Sequence, residues 1–330
     1  MTMRRCLPVW LGLVLGLLLV PPGVGAEVLR YRDKLGRTVA IQIPVRRAVL
    51  YETYELLPVT GAWDRVTGIS RYALENDLLL AVKPDLARAI PTAGSAMDMN
   101  VETLLRLKPD VVITWTSDPR TVRFLEEKGV PVLAIYPETL AELYDVMRLQ
   151  GTLFGEEGKV EQAIARMEAL FSVIRAGVAK HAGAVRKKAL WLYSKPTTVA
   201  GRLNVVQDLF SMMALDNAAA AVEQRNIEVS LEQILRWNPE VLFIWGGSRT
   251  GAAELLANPQ WRHVRAVQDR AVFKAPPWST WSPRLAPVAL WMAASAYPDA
   301  FAGTEVAKRI DRFYRDVYGI PYEKVRPIEN

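Results

Sequence analysis

Two stretches of this chain, 130 residues apart, repeat one another. Asn100–Trp115 reads NVETLLRLKPDVVITW and Ser230–Trp245 reads SLEQILRWNPEVLFIW. Six of sixteen positions are identical: Glu102/Glu232, Leu105/Leu235, Arg106/Arg236, Pro109/Pro239, Val111/Val241 and Trp115/Trp245. Each copy opens on a residue able to cap a helix and an acid suited to a helix N-terminus. A short amphipathic helix follows, stopped by Lys108-Pro109 or Asn238-Pro239, because proline cannot continue a helix and restricts its predecessor. The apolar run that comes next, VVITW or VLFIW, suits a strand buried on both faces of a parallel sheet. A helix–turn–strand unit recurring at the separation of a domain implies two lobes of similar design. It also puts an exposed acid at a matching place on each lobe, and a tryptophan at the C-terminal end of a matching strand. Open α/β sheets bind ligands at such strand ends.

The N-terminus bears on where the chain works. Arg4 and Arg5 precede an apolar stretch from Leu7 to Val20, and Pro21-Pro22 and Val24-Gly25-Ala26 follow it. A charged start, an apolar core and small residues before Glu27 describe a cleavable export signal over residues 1–26. A membrane anchor needs about 20 apolar residues, more than this run holds. The single cysteine, Cys6, precedes the apolar core, whereas a lipid-bearing cysteine would follow it. A mature chain starting at Glu27 then has no disulfide, thiolate nucleophile or cysteine-bound metal. Its roughly 300 residues suffice for two cores. Formal net charge is +6, or +4 without Arg4 and Arg5, with acids and bases interspersed. Nucleic-acid binding calls for a concentrated basic patch, and no run exceeds Arg186-Lys187-Lys188.

Along the chain, residues 27–43 alternate around Leu35-Gly36 as a β-hairpin would. Strands are expected at Arg46–Leu50, Val66–Ser70, Val132–Ile135, Ala189–Tyr193 and Ala271–Lys274. Helices are expected at Glu55–Trp63, Pro119–Lys128, Asn204–Met213, Ala252–Leu256, Pro283–Tyr297 and Thr304–Val317. This alternation argues for parallel sheets. Between the two halves, Val160, Ala163, Ile164, Met167, Leu170, Phe171, Ile174 and Val178 fall three and four apart on one helical face. A helix over 157–181, roughly 37 Å long at 1.5 Å per residue, would run along both lobes as a rigid strut. The expected organisation is an N-terminal lobe at 27–156, that backbone helix, and a C-terminal lobe at 182–330: two Rossmann-like α/β lobes with parallel central sheets.

These residues resemble the helical-backbone class of ABC-importer substrate-binding proteins, which carry ferric siderophores, haem or vitamin B12. The resemblance rests on Gly61–Ser70, Asn100-Val101-Glu102 with Leu107-Lys108-Pro109-Asp110, Val229-Ser230-Leu231-Glu232, Asn258-Pro259-Gln260-Trp261 with Ala266-Val267, and Ser282-Pro283-Arg284. It covers nearly all of the mature chain. It implies a monomeric periplasmic protein that captures a metal chelate, a ferric siderophore first or a corrinoid, between its lobes. Its partners would be an ABC permease dimer and its ATPase subunits. The vitamin B12 binders of this class are especially similar around Asn100–Trp115, which implies that Trp115 and Tyr72 face the ligand. The loop Pro276–Trp281 departs from their pattern, lacking an acid and an arginine. The resemblance also implies that Glu102 and Glu232 dock the permease, beyond their plain role of stabilising helix starts.

Aromatic side chains are the strongest ligand signal, since a large planar or apolar ligand wants rigid ring walls with a few polar anchors. Trp115 and Trp245 end buried strands, Trp278 and Trp281 share a Pro/Ser/Thr loop, and Tyr51 and Tyr54 follow the first parallel strand. The plain alternative for each is core packing. Arg71, beside Tyr72, and Arg202 are the candidate anion anchors, because a guanidinium fork fits carboxylate or phosphate oxygens; either could equally be a solvated loop residue. Arg284 is read as holding its loop to the following helix. The two histidines, His181 and His263, are far apart in sequence and read as solvated, so a metal would arrive already chelated. An enzyme on the same fold is the last alternative, open because a fold does not fix a function: Gly246-Gly247-Ser248 lacks the closing glycine of a nucleophile elbow, and no glycine-rich phosphate loop follows the first strand. No cofactor is expected. A sensor or chaperone for haem or another chelate would use the same cleft.

Overall fold

The computed structural model describes residues 27–115, 119–180 and 186–325. The expected leader over 1–26 with Cys6, and His181, lie outside the described residues.

The chain opens on the antiparallel hairpin Glu27–Arg32 and Thr38–Ile43. Its turn is organised by Asp33, whose carboxylate accepts from the backbone N–H of Leu35 and Arg37 at 3.0 Å each. The first sheet follows, four parallel strands in the order Val66–Ile69, Ala48–Leu50, Val111–Trp115, Val132–Ile135. The second sheet centres on Val241–Ile244, flanked in parallel by Lys187–Leu192 and Val272–Lys274. To this parallel core are added Leu215–Asn217, and the antiparallel Thr198–Ala200 and Asn226–Glu228, short strands that the sequence pattern does not reveal.

The repeated unit is the same piece of structure twice. Asn100 Oδ1 accepts from the Thr103 N–H at 2.9 Å, and Ser230 Oγ from the Gln233 N–H at 3.2 Å, so each copy starts with a side-chain cap. The helices run Val101–Arg106 and Leu231–Trp237. Lys108 and Asn238, each before its proline, both take left-handed backbone (φ +46° and +48°), which turns the chain sharply into the strand. Asp110 then accepts from the Arg46 and Arg47 N–H groups and Glu240 from the Lys188 N–H, pinning each repeat strand to the first strand of its sheet. Both repeat strands lie between two parallel neighbours, so Trp115 and the residue after Ile244 occupy matching strand ends.

The backbone helix spans Glu157–Ala179 and buries the eight residues of its expected apolar face. It packs on Leu140–Phe154, on Leu285–Ala296 and on the C-terminal helix Val306–Tyr318. Leu140–Phe154 is not among the expected elements, although Thr139 caps it at 3.1 Å and Gly155 ends it in left-handed backbone. The expected helix over Glu55–Trp63 is shorter: a 3₁₀ turn at Tyr54–Leu56 and one α-turn at Leu57–Thr60, stopped by Gly61 at φ +71°. One core cluster joins the backbone helix to both lobes, drawing Leu56, Leu78 and Leu143 from the first and Trp191, Phe210 and Phe243 from the second.

Candidate functional site

The parallel strands of both lobes end toward one gap, and rings meet there. Trp115 ends the strand Val111–Trp115 and Tyr136 follows Val132–Ile135; Trp281, beyond Val272–Lys274, reaches both from the other lobe. The Trp281 ring centroid is 5.9 Å from Trp115 at 74° and 4.8 Å from Tyr136 at 76°, two edge-to-face contacts. All three side chains keep partial exposure. Arg225 crosses beside them, its guanidinium 3.9 Å from the centre of the Tyr136 ring and paired with Glu138, which also takes Lys34 at 3.0 Å. Further along the second lobe, Tyr193 lies 6.3 Å from Trp245, and its hydroxyl accepts from Asn204 Nδ2 at 2.6 Å. Burial pushes the Tyr193 phenol above its ordinary range, so it acts there as a neutral polar group.

Glu52 adds a carboxyl to this wall. It sits two residues past Ala48–Leu50, next to the strand that Trp115 ends. It is partly buried, and desolvation pushes its pKa up to about 8, with the Trp115 indole pulling the other way. The indole N–H nevertheless has no well-formed hydrogen-bond partner.

The expected site residues divide between the cleft, the core and the surface. Trp115 and Trp281 are brought together as described, and Tyr54 is half-buried next to Glu52, its phenol pushed upward by burial and by that carboxylate. Trp245 is half-buried against Tyr193 and folds back over its own loop: a Cβ on Gly247 would meet its ring at 2.5 Å. Tyr51 and Trp278 are corrections. Tyr51 is fully buried and its hydroxyl donates to the Ala93 carbonyl at 2.9 Å. Trp278 is 3% exposed, packed on Tyr314, Tyr322 and the Arg284 guanidinium. Arg71 and Tyr72 stack at 5.2 Å, both exposed, with Arg71 paired to Asp98. Arg202 is exposed and paired to Glu223. Glu102 and Glu232 are exposed in the first turns of their helices. His263 is exposed and accepts from Arg262 Nε at 3.0 Å.

Arg284 does more than hold its loop. Fully buried, it donates to Asp77 at 2.6 and 2.7 Å, to Glu55 at 3.2 Å and to the Tyr314 hydroxyl at 2.9 Å. Ser282 adds a hydrogen bond to Glu55 at 2.5 Å. The Ser-Pro-Arg motif thus fastens the C-terminal lobe to the N-terminal one behind the cleft. Sequence reasoning missed Glu52, Tyr136, Tyr193 and Arg225 as cleft residues. Tyr136 and Tyr193 carry the signal already used for Trp115, an aromatic at the end of a parallel strand. Arg225 has none, since it precedes a short antiparallel strand. A cavity of about 430 Å³ lies apart from the rings, between the starts of the backbone helix and the end of the C-terminal helix, and its lining includes Lys159, Arg166 and Asp316. It holds no strand-end residue, so the site is placed at the strand ends.

Known proteins show the same construction. The sequence pattern of the family described as "Periplasmic binding protein" matches residues 48–277. The molybdate-binding protein MolA of Haemophilus influenzae is 24% identical over 324 residues, covering 88% of this chain and 91% of that protein. The vitamin B12-binding protein of Salmonella typhimurium is 24% identical over 166 residues, covering 49% of this chain and 61% of that protein. The crystal structure of Helicobacter pylori CeuE with nickel and histidine superposes with a TM-score of 0.80 at 25% identity, covering 91% of this chain and 98% of that one.

Proposed function

The chain belongs to the family of periplasmic binding proteins, and on that premise we propose that its interlobe cleft captures a metal chelate, a ferric siderophore first and a corrinoid second, for delivery to an ABC permease. It is a substrate-binding protein of the transport type rather than an enzyme: the relatives are named as molybdate-, vitamin B12- and iron-binding components. The observation that carries the ligand reading is the ring wall of Trp115, Tyr136 and Trp281, drawn from both lobes and partly open. Broad, rigid rings suit a bulky ligand with apolar or planar surface better than a small bare oxyanion. Among the described residues no group of three or more His, Cys, Asp or Glu side chains could hold a metal ion, and a chelate brings its own donors. The purified protein should retain a ferric hydroxamate, a ferric catecholate or a cobalamin in native mass spectra, with quenching of tryptophan emission. Replacing Trp115 and Trp281 together by alanine should cost about 2–4 kcal/mol of that affinity, as ring anchors do. Retention of no chelate, or an unchanged affinity in the folded double variant, would remove the reading.

Glu102 and Glu232 support the partner. They stand, exposed, in the first turns of matching helices of two similar lobes. Two such acids suit basic residues on two related permease subunits, where charge fixes orientation and speeds encounter. Changing both to alanine should leave chelate affinity intact while uptake in reconstituted vesicles falls sharply; full uptake would leave them only their helix-start role. Residues 1–26 fit export to the periplasm, which N-terminal sequencing of the exported protein checks: a first residue other than one near Glu27 would oppose it.

A further inference from the structure

Trp281 crosses from its own lobe to reach Trp115 and Tyr136, and the residue after it is tied to a buried acid of the opposite lobe. We propose that Glu55 is a positioning residue for the cleft: by holding Ser282 it fixes the Trp281 ring against the other two, and so sets the width of the ring wall that a ligand meets. The inference deepens the chelate reading, on which one arm of its test rests; the other arm is read with no ligand present.

The bond lengths at Glu55 rank its tasks. Its carboxylate accepts from Ser282 Oγ at 2.5 Å, from Asn76 Nδ2 at 2.7 Å and from Arg284 Nη1 at 3.2 Å. The contact to Arg284 is the longest, and that guanidinium is already matched by Asp77, which takes two of its N–H groups at 2.6 and 2.7 Å. A two-pronged carboxylate is the strong partner of a guanidinium, so compensating Arg284 does not by itself call for a second buried acid. The shortest bond goes to the loop instead. Glu55 and Ser282 are 1% and 0% exposed, and a hydrogen bond to a charged acceptor is strongest where water is excluded. Asn76 steadies the carboxylate from its own lobe, because its Oδ1 caps the helix Asp77–Val82 by accepting from the Leu79 N–H at 3.1 Å.

The loop that carries Trp281 is pinned on both sides of it. Upstream, Trp278 is buried against Tyr314, Tyr322 and the Arg284 guanidinium. Downstream, Ser282 reaches across the lobe boundary to Glu55, and its Oγ also accepts from the Arg284 N–H at 3.2 Å. Between the pins, the Trp281 N–H donates to Ser279 Oγ at 3.1 Å, a bond within the loop that cannot hold the ring against the other lobe. Edge-to-face ring contacts are individually weak, and a binding wall is precise only when the groups behind it lock its side chains. Ser282 is one Cα step, ~3.8 Å, from Trp281, so its release frees that ring first. Trp278, three residues earlier, keeps its own nest.

Ser282→Ala removes the hydroxyl but leaves Glu55 with Asn76 and Arg284, so the fold should hold. The mature protein labelled with 5-fluorotryptophan reports the ring by fluorine NMR, the Trp281 and Trp278 signals being identified from Trp281→Phe and Trp278→Phe. Without ligand, Ser282→Ala should shift the Trp281 signal and raise its response to exchanging H2O for D2O, while the Trp278 signal stays. Glu55→Ala should move the same signal, and Glu55→Gln, still able to bond Ser282, should leave it near the wild-type position. An unmoved Trp281 signal in folded Ser282→Ala overturns the inference and leaves the chelate reading standing. The second arm measures a ferric hydroxamate, a ferric catecholate or a cobalamin, whichever the wild type retains. Ser282→Ala should weaken its binding roughly tenfold in the wild-type background and less than about twofold in Trp281→Ala. Equal losses in both backgrounds overturn the inference too, since the effect would not pass through Trp281. If the wild type retains none of the three, the chelate reading falls and the fluorine signal alone decides the positioning role.

Discussion

Two of the contacts between the lobes are built on opposite principles. Behind the cleft, the Arg284 guanidinium is fully buried, reaches two carboxylates and a phenol, and lies 4.9 Å from the Trp278 ring. In the cleft, the Arg225–Glu138 pair is 39% and 18% exposed, and the ring contacts of Trp281 are edge-on and partly open. The first contact has nothing to spare for a ligand. The second can be exchanged for one: an edge-to-face contact is worth about 0.5–1.5 kcal/mol, which a ligand face replaces readily. On the proposed reading, lobe orientation belongs to the clamp and the backbone helix, and recognition to the contacts that can be undone.

Breaking the clamp should have the largest effect. Arg284→Met keeps most of the side chain's bulk but strands Glu55, at 2% side-chain exposure, and the partly buried Asp77 without their cation. Removing one partner of a buried ion pair costs about 3–5 kcal/mol, because the charge left behind is uncompensated. Urea unfolding should report a loss of that size, partly recovered when Glu55→Gln and Asp77→Asn are added. A loss under about 1 kcal/mol would mean that the two lobes are held mainly by the backbone helix.

Local pattern and distant assembly were unequally legible. The repeat was readable because its caps, prolines and apolar strands act within a few residues of themselves. The eight apolar positions of the backbone helix were readable because one period describes a face that stays buried from end to end. Trp278 and Trp281 show where this stops. Three residues apart in one loop, one turns into a nest formed by Tyr314 and Tyr322 and the other reaches the opposite lobe; their destinations are decided by residues tens of positions away. Tyr51 teaches the same lesson at shorter range. A strand end offers two sides, and ring chemistry favoured tyrosine for the cleft, whereas the Ala93 carbonyl claims its hydroxyl in the core.

The smallest effect is expected at the cleft contact itself. Arg225→Ala removes a partly exposed ion pair and a stacked guanidinium, while Lys34 remains on Glu138. Exposed pairs contribute about 0–1 kcal/mol, so unfolding should shift by less than 1 kcal/mol, several-fold less than for Arg284→Met. The pH dependence is a second handle. Burial would raise the Glu138 carboxyl, but Arg225 and Lys34 outweigh it and hold it below its ordinary value. A depressed carboxyl contributes stability above its unfolded pKa and loses it as pH falls through the folded one. The small gap between wild type and Arg225→Ala should therefore close as the solution is acidified below about pH 4. A gap of several kcal/mol that persists in acid would place a clamp in the cleft as well, and the distinction between a fixed seam and an exchangeable one would fail.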